Sequence, residues 1–211
     1  MEPSLLIDPA ARERLATAVR QAERRTQGEI VVAVVRACDE YGAAPWWLGV
    51  LLAALAYCAL HALAAPQPWW VYLAAQAAGL VAGHALARVE GVRRLLLEPS
   101  LVEERVHERA RRSFLENGLA RTRGRTGILL FVSLLERRVV VLGDEGIHRA
   151  LSPDESWQEV VDLAVEGLRG GRGVDGLEAA VRRCGQILTR HFPASPDRNL
   201  DELPNAVVIE E

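Results

Sequence analysis

The chain has 211 residues, half of them hydrophobic, and carries 25 basic against 28 acidic side chains for a net charge of −3. That balance excludes bulk nucleic-acid binding as a main activity, because a phosphate backbone demands a strongly basic surface. Three cysteines, Cys38, Cys58 and Cys184, lack CxxC spacing, so neither a disulfide framework nor a thiolate metal site is expected.

The opening MEPSLLIDPAARER has no basic start followed by an apolar stretch, so no signal peptide is expected. Asp8-Pro9 reads as a helix cap with proline in the first turn, and Leu15, Ala18, Val19 and Ala22 mark one helical face. After Gln27-Gly28, Ile30–Val35 is a β-branched run without alternation, the pattern of a strand covered on both faces.

Trp46–Ala65 and Trp69–Ala87 then run for twenty and nineteen residues without a formal charge. At about 1.5 Å per residue each is roughly 30 Å long, the thickness of a bilayer's hydrocarbon core. Paired tryptophans open both runs, and Pro66-Gln67-Pro68 reverses the chain between them. The reading is a two-helix transmembrane hairpin. Arg36 before it and Arg88, Arg93 and Arg94 after it predict cytoplasmic flanks, hence a multi-pass protein of the bacterial inner membrane with its α/β part in the cytoplasm. The same three arginines are placed to meet anionic headgroups of the lipid bilayer. His61 and His84 fall near opposite ends of the hairpin, too far apart to share a metal. Ala75, Gly79 and Gly83 form a small-xxx-small stripe suited to packing on the first span, or to self-association.

Downstream, Ser100-x-x-Glu103 resembles a capping box ahead of Val102, Val106, Ala110 and Phe114 at helical spacing. Ile128–Leu134 is a second buried strand, and Val139–Leu142 returns as a third after a tight turn. Ser152-Pro153-Asp154-Glu155 opens a helix burying Trp157, Val160 and Ala164, and a last helix runs from about Val174 to His191. The segments are then 1–45 and 88–192 for a split α/β domain, 46–87 for the hairpin, and 193–211 for a flexible tail. The fold class is α/β, a small three-layer sandwich of a mixed sheet with helices on both faces, interrupted by the hairpin.

Gly171-Arg172-Gly173-Val174-Asp175-Gly176 matches GxGxxG, but a helix precedes it where a dinucleotide site needs a strand, so no nucleotide cofactor is expected. A parallel crossover followed by a tight turn brings Glu29, Thr126, Asp144 and Glu145 to one sheet edge, with His148 close by. Clustered carboxylates can hold a hard divalent cation; isolated, they are turn and strand-entry charges.

Thr26-Gln27-Gly28-Glu29-Ile30-Val31-Val32, Arg125-Thr126-Gly127-Ile128-Leu129-Leu130-Phe131-Val132, Glu136–Ile147 and Gly173-Val174-Asp175-Gly176-Leu177 together resemble the TPM domain family. These are α/β domains of thylakoid-lumen and bacterial membrane-associated proteins, often labelled TPM phosphatase. The resemblance implies phosphomonoester hydrolysis assisted by a divalent cation (Ca or Mg), with Glu29, Asp144 and Glu145 as metal ligands and His148 as catalytic proton donor. The alternative it leaves is a non-catalytic scaffold or assembly factor that binds another membrane protein.

Overall fold

The computed structural model describes residues 8–62, 67–152, 155–195 and 207–210. In chain order these form α1 (Pro9–Glu23), β1 (Glu29–Val35), α2 (Ala43–Ala62), α3 (Trp69–Leu86), α4 (Glu90–Leu95), α5 (Pro99–Glu116) and a 3-10 turn (Leu119–Arg121). There follow β2 (Gly127–Ser133), β3 (Arg138–Gly143), α6 (Glu145–Ala150), α7 (Trp157–Arg169), α8 (Gly173–His191) and β4 (Val207–Glu210). Two compact units result: residues 39–102, and residues 1–38 with 103–211.

The second of these is an α/β unit on a four-stranded mixed sheet of order β3-β2-β1-β4. As expected, β1 and β2 are parallel and β2 and β3 antiparallel, with Glu29 opposite Gly127 and Ile128 opposite Gly143. All seven residues of β1 and of β2 are buried, which is why neither strand alternates in sequence. On one face Ile30, Val32, Val34, Ile128, Leu130 and Val132 share a continuous core with Leu15 and Val19 of α1, Val160 and Ala164 of α7, and Leu177, Val181 and Leu188 of α8. Val31, Ala33, Leu129 and Phe131 of the opposite face are equally buried, and so are Val106, Ala110 and Ser113 of α5. Each such aliphatic side chain contributes about 1.5–3 kcal/mol by leaving water.

Local chemistry sets the ends of the elements. Asp8 caps α1, its Oδ1 accepting from the Ala11 N–H at 2.6 Å. Ser156, rather than Ser152, caps α7 by accepting from the Gln158 N–H at 3.0 Å. Of the expected box at 152–155, Pro153 and Asp154 lie outside the described residues. Ser152 and Glu155 close a separate turn, the Ser152 N–H donating to Oε2 of Glu155 at 3.2 Å. Ser100 bonds Glu98 instead of capping α5.

The glycine-rich run proves to be the crossing of α7 and α8. Gly171 takes a left-handed φ of +70° in the loop, and a Cβ on Gly176 would stand 2.7 Å from the Cα of Gly167. The spacing of these glycines serves a backbone-to-backbone helix contact.

A correction concerns the C-terminal tail. Residues 207–210, expected in a flexible segment, add a fourth strand parallel to β1, with Val207 opposite Val32. The β-branched pair Val207-Val208 and the following Ile209 supply the propensity, and burial of Val207 supplies the energy. Pro193 also pairs with Thr26 in an isolated bridge.

In the unit of residues 39–102, α2 and α3 pack as a pair. A Cβ on Gly79 would meet the Ala53 backbone at 2.7 Å, and Gly83 lies still closer to Gly49. The stripe on α3 is therefore occupied by α2. The expectation of two spans is met in part: among the described residues one helix, over Pro45–Ala62, is long and apolar enough to cross a membrane, and almost none of it is buried. The α3 helix has 18 residues, but Gln76, His84 and three glycine or tyrosine positions dilute its apolar content. Pro66 of the reversal lies outside the described residues. His84 sits beside Trp46 with ring centroids 5.8 Å apart, whereas His61 stacks on Tyr57 at 6.2 Å, so the two histidines have separate aromatic neighbours. Before α2, Tyr41 adopts a positive φ of 47° and is buried under Arg93, whose guanidinium lies 5.8 Å from the ring centre and donates to the Glu40 carbonyl.

Candidate functional site

The sheet edge that gathers the entry of β1, the entry of β2 and the end of β3 is built by three backbone contacts. The Glu29 N–H donates to the Thr126 carbonyl at 3.3 Å, the Asp144 N–H to the Gly127 carbonyl at 2.9 Å, and the Gly146 N–H to the Arg125 carbonyl at 3.0 Å. Glycine is required at 146, because a Cβ there would lie 2.5 Å from the Gly124 carbonyl oxygen. Thr126 is buried, its hydroxyl donating to the Gln27 carbonyl at 3.1 Å and its N–H bonded to Thr122. Thr126 thus ties the two strand entries together and presents no free group.

Asp144, expected in a turn, caps the short helix α6. Its Oδ1 accepts from the Glu145 N–H at 2.7 Å, and the residue is 6% exposed. Its Oδ2 has no hydrogen-bond partner but lies 3.2 Å from Nε of Arg125, a contact held by charge rather than by hydrogen-bond geometry. Arg125 is the residue that sequence reasoning did not single out for the site. Its backbone is left-handed, with φ at 54°, a strain of about 1–2 kcal/mol. That turn lets its carbonyl receive Gly146 while its Nη1 donates to the Ala120 carbonyl at 2.8 Å.

The other expected residues scatter. Glu145 is exposed on the first turn of α6 and paired with Arg149 one turn on. His148 is exposed on the same short helix. Glu29 is buried at the start of β1, directly opposite Gly127 and so two strand positions from Asp144. Adjacent strands lie about 4.8 Å apart, so Glu29 and Asp144 flank Gly127 on one face with nearly 10 Å between their backbones. Leu119 fills that gap: a Cβ on Gly127 would meet its side chain at 2.8 Å. An apolar wedge separates the two buried carboxylates, and arginines neutralise Asp144 and Glu145. Among the described residues no three His, Cys, Asp or Glu side chains stand together as a cation site. As placed, Glu29, Asp144 and Glu145 are not brought together in one cluster.

Residues 90–187 match the family of the TPM domain, also described as TPM phosphatase. This stretch is a TPM domain. The resemblance drawn from the sequence began earlier, with Thr26–Val32, and β1 and β4 lie outside the family match. The TPM domain match takes in β2, β3, Arg125, Asp144, Glu145 and His148. In fold the likeness extends over nearly the whole chain. The NMR structure of BA42 protein from the psychrophilic bacterium Bizionia argentinensis superposes with a TM-score of 0.59, covering 96% of this chain and 94% of that one at 19% identity. No curated protein matches the chain.

Among the described residues the three cysteines form no disulfide; burial pushes the Cys184 thiol up to about 12, which makes it an inert core residue.

Proposed function

We propose that this is a membrane-anchored TPM-domain protein whose α/β unit, a three-layer sandwich with helices on both sheet faces, acts as a non-catalytic scaffold for another membrane protein. The observation that carries the anchor is the outward face of the α2–α3 pair. Trp47 and Trp69 are 72% and 74% exposed, and Leu51, Leu55, Leu73 and Val81 are exposed between them. In water that surface costs about 25 cal/mol for every Å² left uncovered; in a bilayer it costs nothing and the tryptophans sit at the headgroups. The α2 helix is the span, and α3 follows it because Gly79 and Gly83 hold the two backbones together. Arg88, Arg93 and Arg94 set their flank on the cytoplasmic side of the bacterial inner membrane.

The scaffold reading rests on the state of the acidic edge. A cation entering at Asp144 must first displace the Arg125 guanidinium, and one at Glu145 must displace Arg149. Hydrolysis of a phosphomonoester with Ca or Mg is the second reading, favoured by the buried Oδ2 of Asp144 that lacks a hydrogen bond.

Two experiments separate these possibilities. Membranes washed with alkaline carbonate should retain the full chain; release into the supernatant would remove the anchor. Turnover of a generic phosphoester that needs added Mg or Ca and is lost in Asp144→Asn would replace the scaffold reading with the hydrolytic one.

A further inference from the structure

Within the α/β unit, α1 and α8 lie side by side and run in the same direction. Arg14 reaches Asp175 at 2.7 Å and Glu178 at 2.9 Å, Ala22 meets Gly185, and Thr26 bridges to Pro193. A Cβ on Gly185 would stand 2.7 Å from that of Ala22, so the helices approach closely over small residues. Ala18, Ala22 and Gly185 consequently floor an open groove of about 600 Å³, walled by the long side chains to either side. Three of those walls are Arg25, Arg182 and Arg190, and among the described residues no carboxylate lines the groove, although the chain as a whole is net negative.

The three guanidinium groups are in different states. Nη1 of Arg190 is fixed 2.6 Å from Oε1 of Glu155, whose side chain is only 2% exposed and also bonds Nε2 of His191 at 2.5 Å. A guanidinium has five donors, so an Arg190 anchored through one nitrogen still presents the others, at no further cost in side-chain freedom. Arg25, at the end of α1 on the same level as Arg190, is exposed and has no ion pair among the described residues. Arg182 is 67% exposed and paired at 3.1 Å with Glu178 one turn away, a solvent-screened contact that a stronger anion displaces.

We propose that this groove binds a phosphate-bearing ligand, with Arg25 and Arg190 as the clamp on one phosphate group and Arg182, two turns back along α8, as a second contact. Arginine forks match phosphate oxygens two at a time, and the small-residue floor lets the ligand approach the helix backbones. The site uses none of Glu29, Thr126, Asp144 or Glu145 and does not depend on the membrane reading.

The test titrates the full-length chain, held in nanodiscs of zwitterionic lipid, with inorganic pyrophosphate by calorimetry. A second arm replaces the disc lipid with phosphatidylglycerol and follows chemical shifts of the groove residues, which distinguishes a lipid headgroup from a soluble phosphate. Saturable binding in either arm, weakened about tenfold or more by Arg25→Gln and unchanged by Arg24→Gln, is the expected result. Arg24 carries the same charge on an exposed position outside the groove, so equal weakening in both variants would reduce the effect to diffuse charge and overturn the site. Absence of saturable binding in both arms would overturn it as well.

Discussion

Replacing Asp144 separates the structural role of this carboxylate from a cation-binding one. Its Oδ1 caps α6 through the Glu145 N–H, and its Oδ2 faces Arg125 at 3.2 Å. The cap is worth about 1 kcal/mol. The Arg125 contact, with a guanidinium that is half exposed, adds about 0.5–1 kcal/mol. Asp144→Ala forfeits both and should lose about 1.5–2 kcal/mol. Asp144→Asn keeps the capping oxygen and forfeits only the charge, so it should lose under about 1 kcal/mol. At roughly 2–4 °C of Tm per kcal/mol for a unit of this size, alanine lowers the midpoint by several degrees and asparagine by a degree or two. Arg125→Gln should lose somewhat more than the asparagine variant, because it also gives up the bond to the Ala120 carbonyl, and the double variant should fall little below Arg125→Gln, since the ion pair is common to both. Thermal unfolding followed by circular dichroism, with and without added Mg or Ca, reads all of these. The reasoning fails if asparagine costs as much as alanine, or if either cation stabilises the wild type but not Asp144→Asn.

Gly176→Ala should destabilise the α/β unit by about 1–2 kcal/mol net in denaturant titrations. The new Cβ meets the Gly167 backbone at 2.7 Å, an overlap that outweighs the usual helical gain of about 1 kcal/mol for alanine over glycine. The His191 hydrogen bond, before all else, holds the Glu155 carboxyl below its ordinary value of 4.5. A depressed carboxyl stabilises the fold above the unfolded-state value, and that contribution disappears as pH falls through the folded one. Glu155→Gln should therefore lose about 1.5–3 kcal/mol at neutral pH, and unfolding curves of variant and wild type should draw together only below about pH 4.5.

Much of the fold was legible in local pattern. Ile30–Val35 and Ile128–Leu134 carry no alternation because both faces of each strand are covered, and their parallel pairing follows from the crossover between them. The stripe of Gly79 and Gly83 announced a close helix contact, which α2 supplies. The edge was less legible. Topology does bring Glu29, Thr126 and Asp144 to one end of the sheet, but side-chain chemistry there is decided by Arg125 and Leu119, which arrive on a loop whose left-handed turn has no sequence signature. Arg125 is neither glycine nor asparagine at φ 54°. The strand at 207–210 was hidden for a different reason: the prolines and acids before it suggested a polar tail, and only the open edge of β1 turns that short apolar run into structure.

The insertion between β1 and β2 has a consequence for biogenesis. These strands hydrogen-bond along their whole length, yet about ninety residues separate the end of one from the start of the other. At a ribosomal rate of 5–20 residues per second, β1 emerges roughly five to twenty seconds before its partner exists. During that interval the segment EIVVAVV, with its high β-propensity and a single charge, waits unpaired while the apolar helices behind it are being delivered. A chain built this way calls for a chaperone on its nascent N-terminal segment, which is where aggregation during synthesis would begin.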